Sequence, residues 1–269
     1  MSQMRTIRIP CPVHRGADPN CTVWLDECGQ PDHAKCWSLG CSSRAILSTL
    51  SVASNLQKWQ GVVLRSLDRT EALAAARRMW NFSQPISGTL ANRYLKIARG
   101  INIELPSSLR YHSTLRHPSG SSHPAMLACV ENHEGRFVGV HRTWLDATEA
   151  SLKAPVKPQK AALGNISGGA IRLSARLSDT VVLSEGIEDG LSIVEATGLT
   201  VWAVAGTSGL RSVRLPDCVC SVIIAGDNDT PGRAAVHVAA MRLHSEGRNV
   251  RIAFPPAGKD FNDLLRTSI

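Results

Sequence analysis

Two groups of potential ligands stand out in this chain of 269 residues. Near the start, Cys11-Pro12-Val13-His14 pairs a thiol with an imidazole, and Cys36-Trp37-Ser38-Leu39-Gly40-Cys41 adds two more thiols. Four sulfur or nitrogen donors, arriving as two close pairs across a hairpin-length span, are what a tetrahedral structural Zn²⁺ requires. Cys21 and Cys28 lie inside that span as rival ligands. The second group is acidic: Ser184-Glu185-Gly186-Ile187-Glu188-Asp189-Gly190 and, later, Ala225-Gly226-Asp227-Asn228-Asp229-Thr230-Pro231-Gly232. Glu185, Asp227 and Asp229 brought together would repel, each raising the others' pKa, unless a cation joined them. Hard oxygen donors with room left for water and phosphate suit Mg²⁺ or Mn²⁺, and a cation so held serves phosphoryl transfer. Either acidic segment alone reads equally well as a turn with a helix cap. Together, on one scaffold, they point to a site.

The scaffold follows from the alternation around them. Residues 180–184 and 221–225 are short, continuous apolar runs of the kind buried on both faces, and 200–205 and 249–254 are two further strands. Helices are expected at 187–197, 231–246 and 260–267. In the second of these Pro231 takes the first turn, and Ala234, Val238 and Met241 share one face. The pattern predicts a small doubly wound α/β domain with a parallel sheet, whose strand ends bring the acids together. Upstream, helices at 44–56, 69–81 and 89–99 mix with strands at 125–130 and 137–142, and the two prolines of 153–160 make that stretch a polar loop. The first 50 residues, rich in Cys, His and Gly, bury too little surface to fold on packing alone. The expected domains are 1–50, 51–176 and 177–269.

Charge divides along the same line. Residues 1–176 carry 22 Lys and Arg against 11 Asp and Glu, whereas 177–269 carry 8 against 11. A basic part that tracks a polyanion beside an acidic part that takes cations fits this split, and so does a basic protein with no such partner. Candidate polyanion contacts are Arg93, Lys96, Arg99, Arg110, Arg142 and Lys153. No apolar run approaches the roughly 18–20 residues of a membrane span, and no signal peptide follows Met1, so a cytoplasmic protein is expected. In that compartment, crowded cysteines favour metal over disulfides. Cys129, Cys218 and Cys220 are expected as ordinary buried thiols, and His112, His117, His123 and His133 as surface or loop histidines. No Walker A motif is present.

The motifs resemble those of a known family. Glu185-Gly186-Ile187-Glu188-Asp189 is similar to the Glu-Gly-x-x-Asp of Toprim domains in DnaG-type primases, and Asp227-Asn228-Asp229 with Pro231-Gly232 and Ala234-Ala235 to their Asp-x-Asp segment. Val204-Ala205-Gly206-Thr207 and Gly258-Lys259-Asp260-Phe261-Asn262-Asp263-Leu264-Leu265 resemble a connecting segment and the closure found in plasmid- and phage-encoded members. Upstream, Tyr94-Leu95-Lys96-Ile97-Ala98-Arg99-Gly100-Ile101 resembles the Tyr-Leu-x-x-Arg-Gly-Ile of the primase core, with one residue more before Arg99. Gly135-Arg136-Phe137-Val138-Gly139-Val140-His141-Arg142 resembles a strand pair of its basic subdomain, with Val140-His141 where aromatic and glycine residues are usual.

The resemblance implies a Toprim domain, Rossmann-like with a parallel sheet, behind a mixed α+β basic subdomain and an N-terminal zinc ribbon. It implies a DNA primase that makes short primers on single-stranded DNA from nucleoside triphosphates, with Mg²⁺ or Mn²⁺ at Glu185, Asp227 and Asp229. Zn²⁺ would sit on Cys11, His14, Cys36 and Cys41. A separately encoded helicase is the expected partner, since the chain ends at Ile269 just after the closure. The competing readings are a Toprim nuclease using the same acids and a non-catalytic DNA-binding adaptor.

Overall fold

The computed structural model describes residues 5–14, 21–28, 30–37, 40–52, 69–174, 176, 178–256 and 258–267. The chain forms two compact units, Met1–Asp68 and Arg69–Ile269. In the first, strands β1 (Arg5–Ile9), β2 (Cys21–Leu25) and β3 (Pro31–Cys36) pair antiparallel in that order, and helix α1 (Ser43–Val52) follows. The last part of the expected helix at 44–56 lies outside the described residues. Ile9, Val23, Ala34, Ile46 and Leu50 form this unit's core together with Cys11, Cys21 and Cys36.

The second unit opens with α2 (Arg69–Asn81), where the alanine-rich run predicted it. An antiparallel sheet in the order β4-β5-β6-β7-β8 comes next. Its strands are β4 (Gln84–Pro85), β5 (Leu109–Arg116), β6 (Ser122–Glu131), β7 (Phe137–Trp144) and β8 (Lys160–Gly164). The helix expected at 89–99 is a single α-turn, α3 (Leu90–Arg93), that widens into a π-helical turn, Tyr94–Ala98. A π-turn lets a helix absorb one extra residue while keeping the flanking side chains on their faces. It occurs where the motif holds its extra residue before Arg99. Gly100, at φ 69°, then ends the helix in the left-handed conformation.

The parallel sheet has the order β13-β12-β10-β11-β9. Its elements run β9 (Ile171–Arg172), β10 (Thr180–Ser184), α4 (Ile187–Thr197), β11 (Val201–Ala203), α5 (Thr207–Ser212), β12 (Ser221–Ala225), α6 (Thr230–Ser245), β13 (Asn249–Ala253) and α7 (Phe261–Thr267). β10 pairs parallel with β11 and β12, and β12 with β13, while β9 is antiparallel at one edge. The two sheets share one core, in which Tyr94, Leu109 and Met126 join Val182, Leu191 and Ala203. Helix α4 lies close on β10 because Gly190 has no side chain; a Cβ there would meet Ser184 Oγ at 2.5 Å.

Several expectations are corrected. Helix α6 buries Ala235, Val236, Ala239 and Leu243, so the face of Ala234, Val238 and Met241 is the exposed one. Cys129 is buried, but Cys218 and Cys220 are exposed because they precede β12 in a surface turn. His117 is buried: its Nε2 meets the Pro158 carbonyl at 3.0 Å and its ring stands edge-on to Trp144. Among the described residues no helix is long and apolar enough to cross a membrane.

Candidate active site

Strand register brings the first two acids together. Ser184 pairs with Ala225 across β10 and β12, so Glu185 and Gly226 leave the sheet at the same level. The chain turns to opposite sides of β10 for β11 and β12, and the crevice at such a switch point is where open α/β sheets bind ligands. Here it is a cleft of about 500 Å³ lined by Glu185, Glu188, Asp189, Asp227, Asp260 and Asn262. Arg99, His141, Lys153 and Lys160, all from upstream elements, line it as well.

The acids repel one another. Burial first, then Asp260 and Asp227, pushes Asp189 up to about 7. Burial, then Glu185, Asp260 and Asp229, pushes Asp227 up to about 6. Glu185 is raised by burial and by Asp229 and Asp189, although the Thr207 backbone N–H donates to it. That N–H is set by a tight turn in which Ala205 (φ 55°) and Gly206 (φ 103°) are both left-handed, a strained conformation for an alanine. Asp229 does not line the cleft. It caps α6, its Oδ1 accepting from Gly232 N at 2.8 Å, and its charge raises both Glu185 and Asp227.

Glu188 behaves oppositely. It is buried, which would raise it, but Lys160 at 2.9 Å and Lys153 at 3.3 Å hold it well below the usual carboxylate range. Tyr94 donates its hydroxyl hydrogen to Glu188 at 3.1 Å, and Arg99 Nε donates to the Tyr94 oxygen at 2.9 Å. The π-turn thus ties into the first turn of α4. Asn262 locks the same junction: its backbone N–H donates to Asp189, and its Nδ2 donates to the Arg99 carbonyl (2.7 Å) and Ser192 Oγ (3.0 Å). Asn262→Ala deletes both Nδ2 bonds and orphans a carbonyl, so urea denaturation should show a loss of about 2 kcal/mol. An unchanged midpoint would mean that the junction does not depend on this residue.

Of the six basic candidates, Arg99 and Lys153 enter the cleft. Arg93 and Lys96 are exposed beside it in sequence but do not line it. Arg110 bonds Ser83 and lies over Trp80. Arg142 is buried, donating to the Ala161 and Ala162 carbonyls and packing on Trp144. Spacing did not single out Lys160, His141 and Asp260. His141, Glu188, Asp189, Asp260 and Asn262 lay within quoted motifs, and Lys160 at the end of a stretch read as loop.

In the first unit, the donor atoms of Cys11, His14, Cys36 and Cys41 all lie within 4.8 Å of one another. His14 Nδ1 is 3.3 Å from Cys41 Sγ and 3.8 Å from Cys36 Sγ. Cys28 is exposed, whereas Cys21 is buried in β2 opposite Cys36. Burial, then Cys11 and Cys36, pushes the Cys21 thiol up to about 11, and burial with the same two neighbours pushes Cys41 up to about 11 as well.

No curated protein sequence matches the chain. Among solved structures it is similar to a DNA primase domain from Pseudomonas aeruginosa (16% identity, 73% of this chain and 74% of that one, TM-score 0.49). It is also similar to the Aquifex aeolicus primase zinc-binding and RNA polymerase domains (16%, 99% and 77%, 0.49). A third likeness is to the primase fragment of the bacteriophage T7 primase-helicase protein (16%, 91% and 93%, 0.47). Residues 70–173 match a family described as a domain of unknown function, DUF7146. Residues 180–268 match the Toprim domain family, in agreement with the parallel sheet and the acid-bearing strand ends, and this part of the chain is a Toprim domain.

Proposed function

We propose that the protein is a DNA primase, joining nucleotides into short primers on a single-stranded DNA template. One observation carries this reading: a single cleft gathers five carboxylates together with Arg99, Lys153 and Lys160. The carboxylates fit Mg²⁺ or Mn²⁺, because Asp189 and Asp227 are raised by burial and then by neighbouring acids, and a hard divalent cation would relieve that repulsion. Glu185, Asp189, Asp227 and Asp260 would hold it, with Asp229 adding charge from the rim. Bound there, such a cation supplies charge neutralisation at the phosphoryl group under attack.

The chain's own residues then have distinct tasks. Arg99, Lys153 and Lys160 face the triphosphate and template phosphates. Glu188 fixes both lysines, so that their ammonium groups are oriented before substrate arrives. In the reaction the 3′-hydroxyl of one nucleotide attacks the α-phosphorus of the next. A P–O bond forms, the bond to the β-phosphate oxygen breaks, pyrophosphate leaves with the electron pair, and the hydroxyl proton passes to water. In the first unit, Cys11, His14, Cys36 and Cys41 fit a structural Zn²⁺, since they converge as two pairs of sulfur and nitrogen donors.

The test is incubation with single-stranded DNA, labelled nucleoside triphosphates and Mg²⁺ or Mn²⁺. Short labelled oligonucleotides complementary to the template are the expected product. Unincorporated label with cut DNA would replace this reading by a nuclease.

A further inference from the structure

His141 is a cleft residue that the acid–base arrangement above does not use. It lies on β7, paired with Ala162 of β8, two positions beyond Lys160. Its Nδ1 is enclosed and has no hydrogen-bond partner. Its Nε2 is not among the enclosed atoms and has no protein partner among the described residues. An enclosed N–H with nothing to bond costs more than an enclosed lone pair, which places the ring proton on Nε2. Burial, then Lys160, pushes the imidazole down to about 4, so the ring is neutral at physiological pH. The result is a fixed, uncharged donor opening on the cleft.

What it would meet follows from its neighbours. Lys160, Glu188, Arg142 and Lys153 all bear on the ring, and three cations against one carboxylate leave a net positive charge that favours a ligand anion. The carboxylates that would hold a cation line the same cleft. A proton already on Nε2 leaves no exposed lone pair for a general base, so a positioning role remains.

We infer that His141 Nε2–H donates a hydrogen bond to a phosphoryl oxygen of the incoming nucleoside triphosphate, and so positions its phosphate tail. This rests on the primase reading. It makes His141 a determinant of nucleotide affinity rather than of the chemical step.

The test uses the full chain with Mg²⁺, single-stranded DNA and ATP, comparing wild type with His141→Ala and His141→Gln. A hydrogen bond to a charged group lost on truncation predicts a KM for ATP raised about tenfold in His141→Ala, with kcat changed less than about twofold. His141→Gln, whose amide can present a donor to the same space, should recover most of that affinity. Inorganic tripolyphosphate, a competitor with no base or sugar, should lose inhibitory strength in His141→Ala by the same factor as ATP. An unchanged KM, a loss in kcat alone, or equal damage in both variants would overturn the inference. So would a tripolyphosphate inhibition constant that stays at the wild-type value while the KM for ATP rises. If the wild type itself incorporates no nucleotide, the primase reading falls first; if it incorporates normally and His141→Ala does too, only this inference falls.

Discussion

Asp227→Ala should lower nucleotide incorporation by roughly a thousandfold while raising the melting temperature of the protein measured without added magnesium or manganese. The first effect follows from losing a carboxylate at the crevice between β10 and β12, where cation binding is worth several kcal/mol of transition-state stabilisation. The second follows from repulsion. Asp227 is pushed up to about 6 by burial and by Glu185, Asp260 and Asp229, and its removal relieves that strain. A carboxylate raised on folding binds its proton more tightly in the folded chain than in the unfolded one, where its pKa is about 3.9. Its contribution to stability is therefore complete below about pH 4 and is lost as the pH rises through about 6. Asp189, pushed up to about 7, acts in the same direction over a range reaching somewhat higher.

Without a divalent cation, then, these two groups should make the wild type less stable at pH 8 than at pH 5. Added Mg²⁺ should restore it at pH 8 and do little at pH 5, where protons already neutralise the acids. The alanine variant should show a shallower pH slope and a smaller response to Mg²⁺. Thermal melts at both pH values, with and without Mg²⁺, measure all of this. A variant that melts several degrees lower at pH 8 without the cation would show Asp227 to be a structural anchor, and the cation site would need other ligands.

How much of this was legible in the sequence depended on whether a signal was local. Strands β10 and β12 are uninterrupted apolar runs, TVVLS and SVIIA, and each stops at an acidic turn, so both the sheet and the meeting of Glu185 with Asp227 could be read directly. The run from Arg69 gave α2 for the same reason. Strand β5, LRYHSTLR, was not legible, because its buried Leu109, Tyr111 and Leu115 are interleaved with polar residues and broken by a register shift. Helix α6 was read with the wrong face inward. Alanines all round it make several stripes equally apolar, and only packing against the sheet selects Ala235, Val236, Ala239 and Leu243. The basic lining of the cleft was the least legible part. Lys160 and His141 stand far in sequence from the acids they face and meet them only because two sheets share a core. Arg142 shows the converse: its motif marked it as a phosphate contact, but its guanidinium is bonded to strand carbonyls.

Cys36→Ser should release zinc and unfold the first unit while leaving the second intact. Among the described residues, the core of Met1–Asp68 is Ile9, Val23, Ala34, Ile46 and Leu50 with three cysteines, too little apolar surface to hold a three-stranded sheet without help. The convergence of Cys11, His14, Cys36 and Cys41 supplies that help only when a cation joins them, so metal binding and folding of this unit are one equilibrium. Cys36 is buried at the end of β3, and a serine oxygen there is both a poorer zinc ligand and an unpaired polar group. Arg69–Ile269 has its own cores and should keep its melting transition. Elemental analysis should find about one zinc per wild-type chain and little in the variant, and limited proteolysis should cut the variant only before Arg69. Cys28→Ser, at an exposed position, should keep the metal, and so should Cys21→Ser, whose sulfur is not among the four donors that converge. Loss of zinc from Cys21→Ser would exchange it for one of the four assigned ligands. A wild-type head that resists protease while holding no metal would end the zinc assignment altogether.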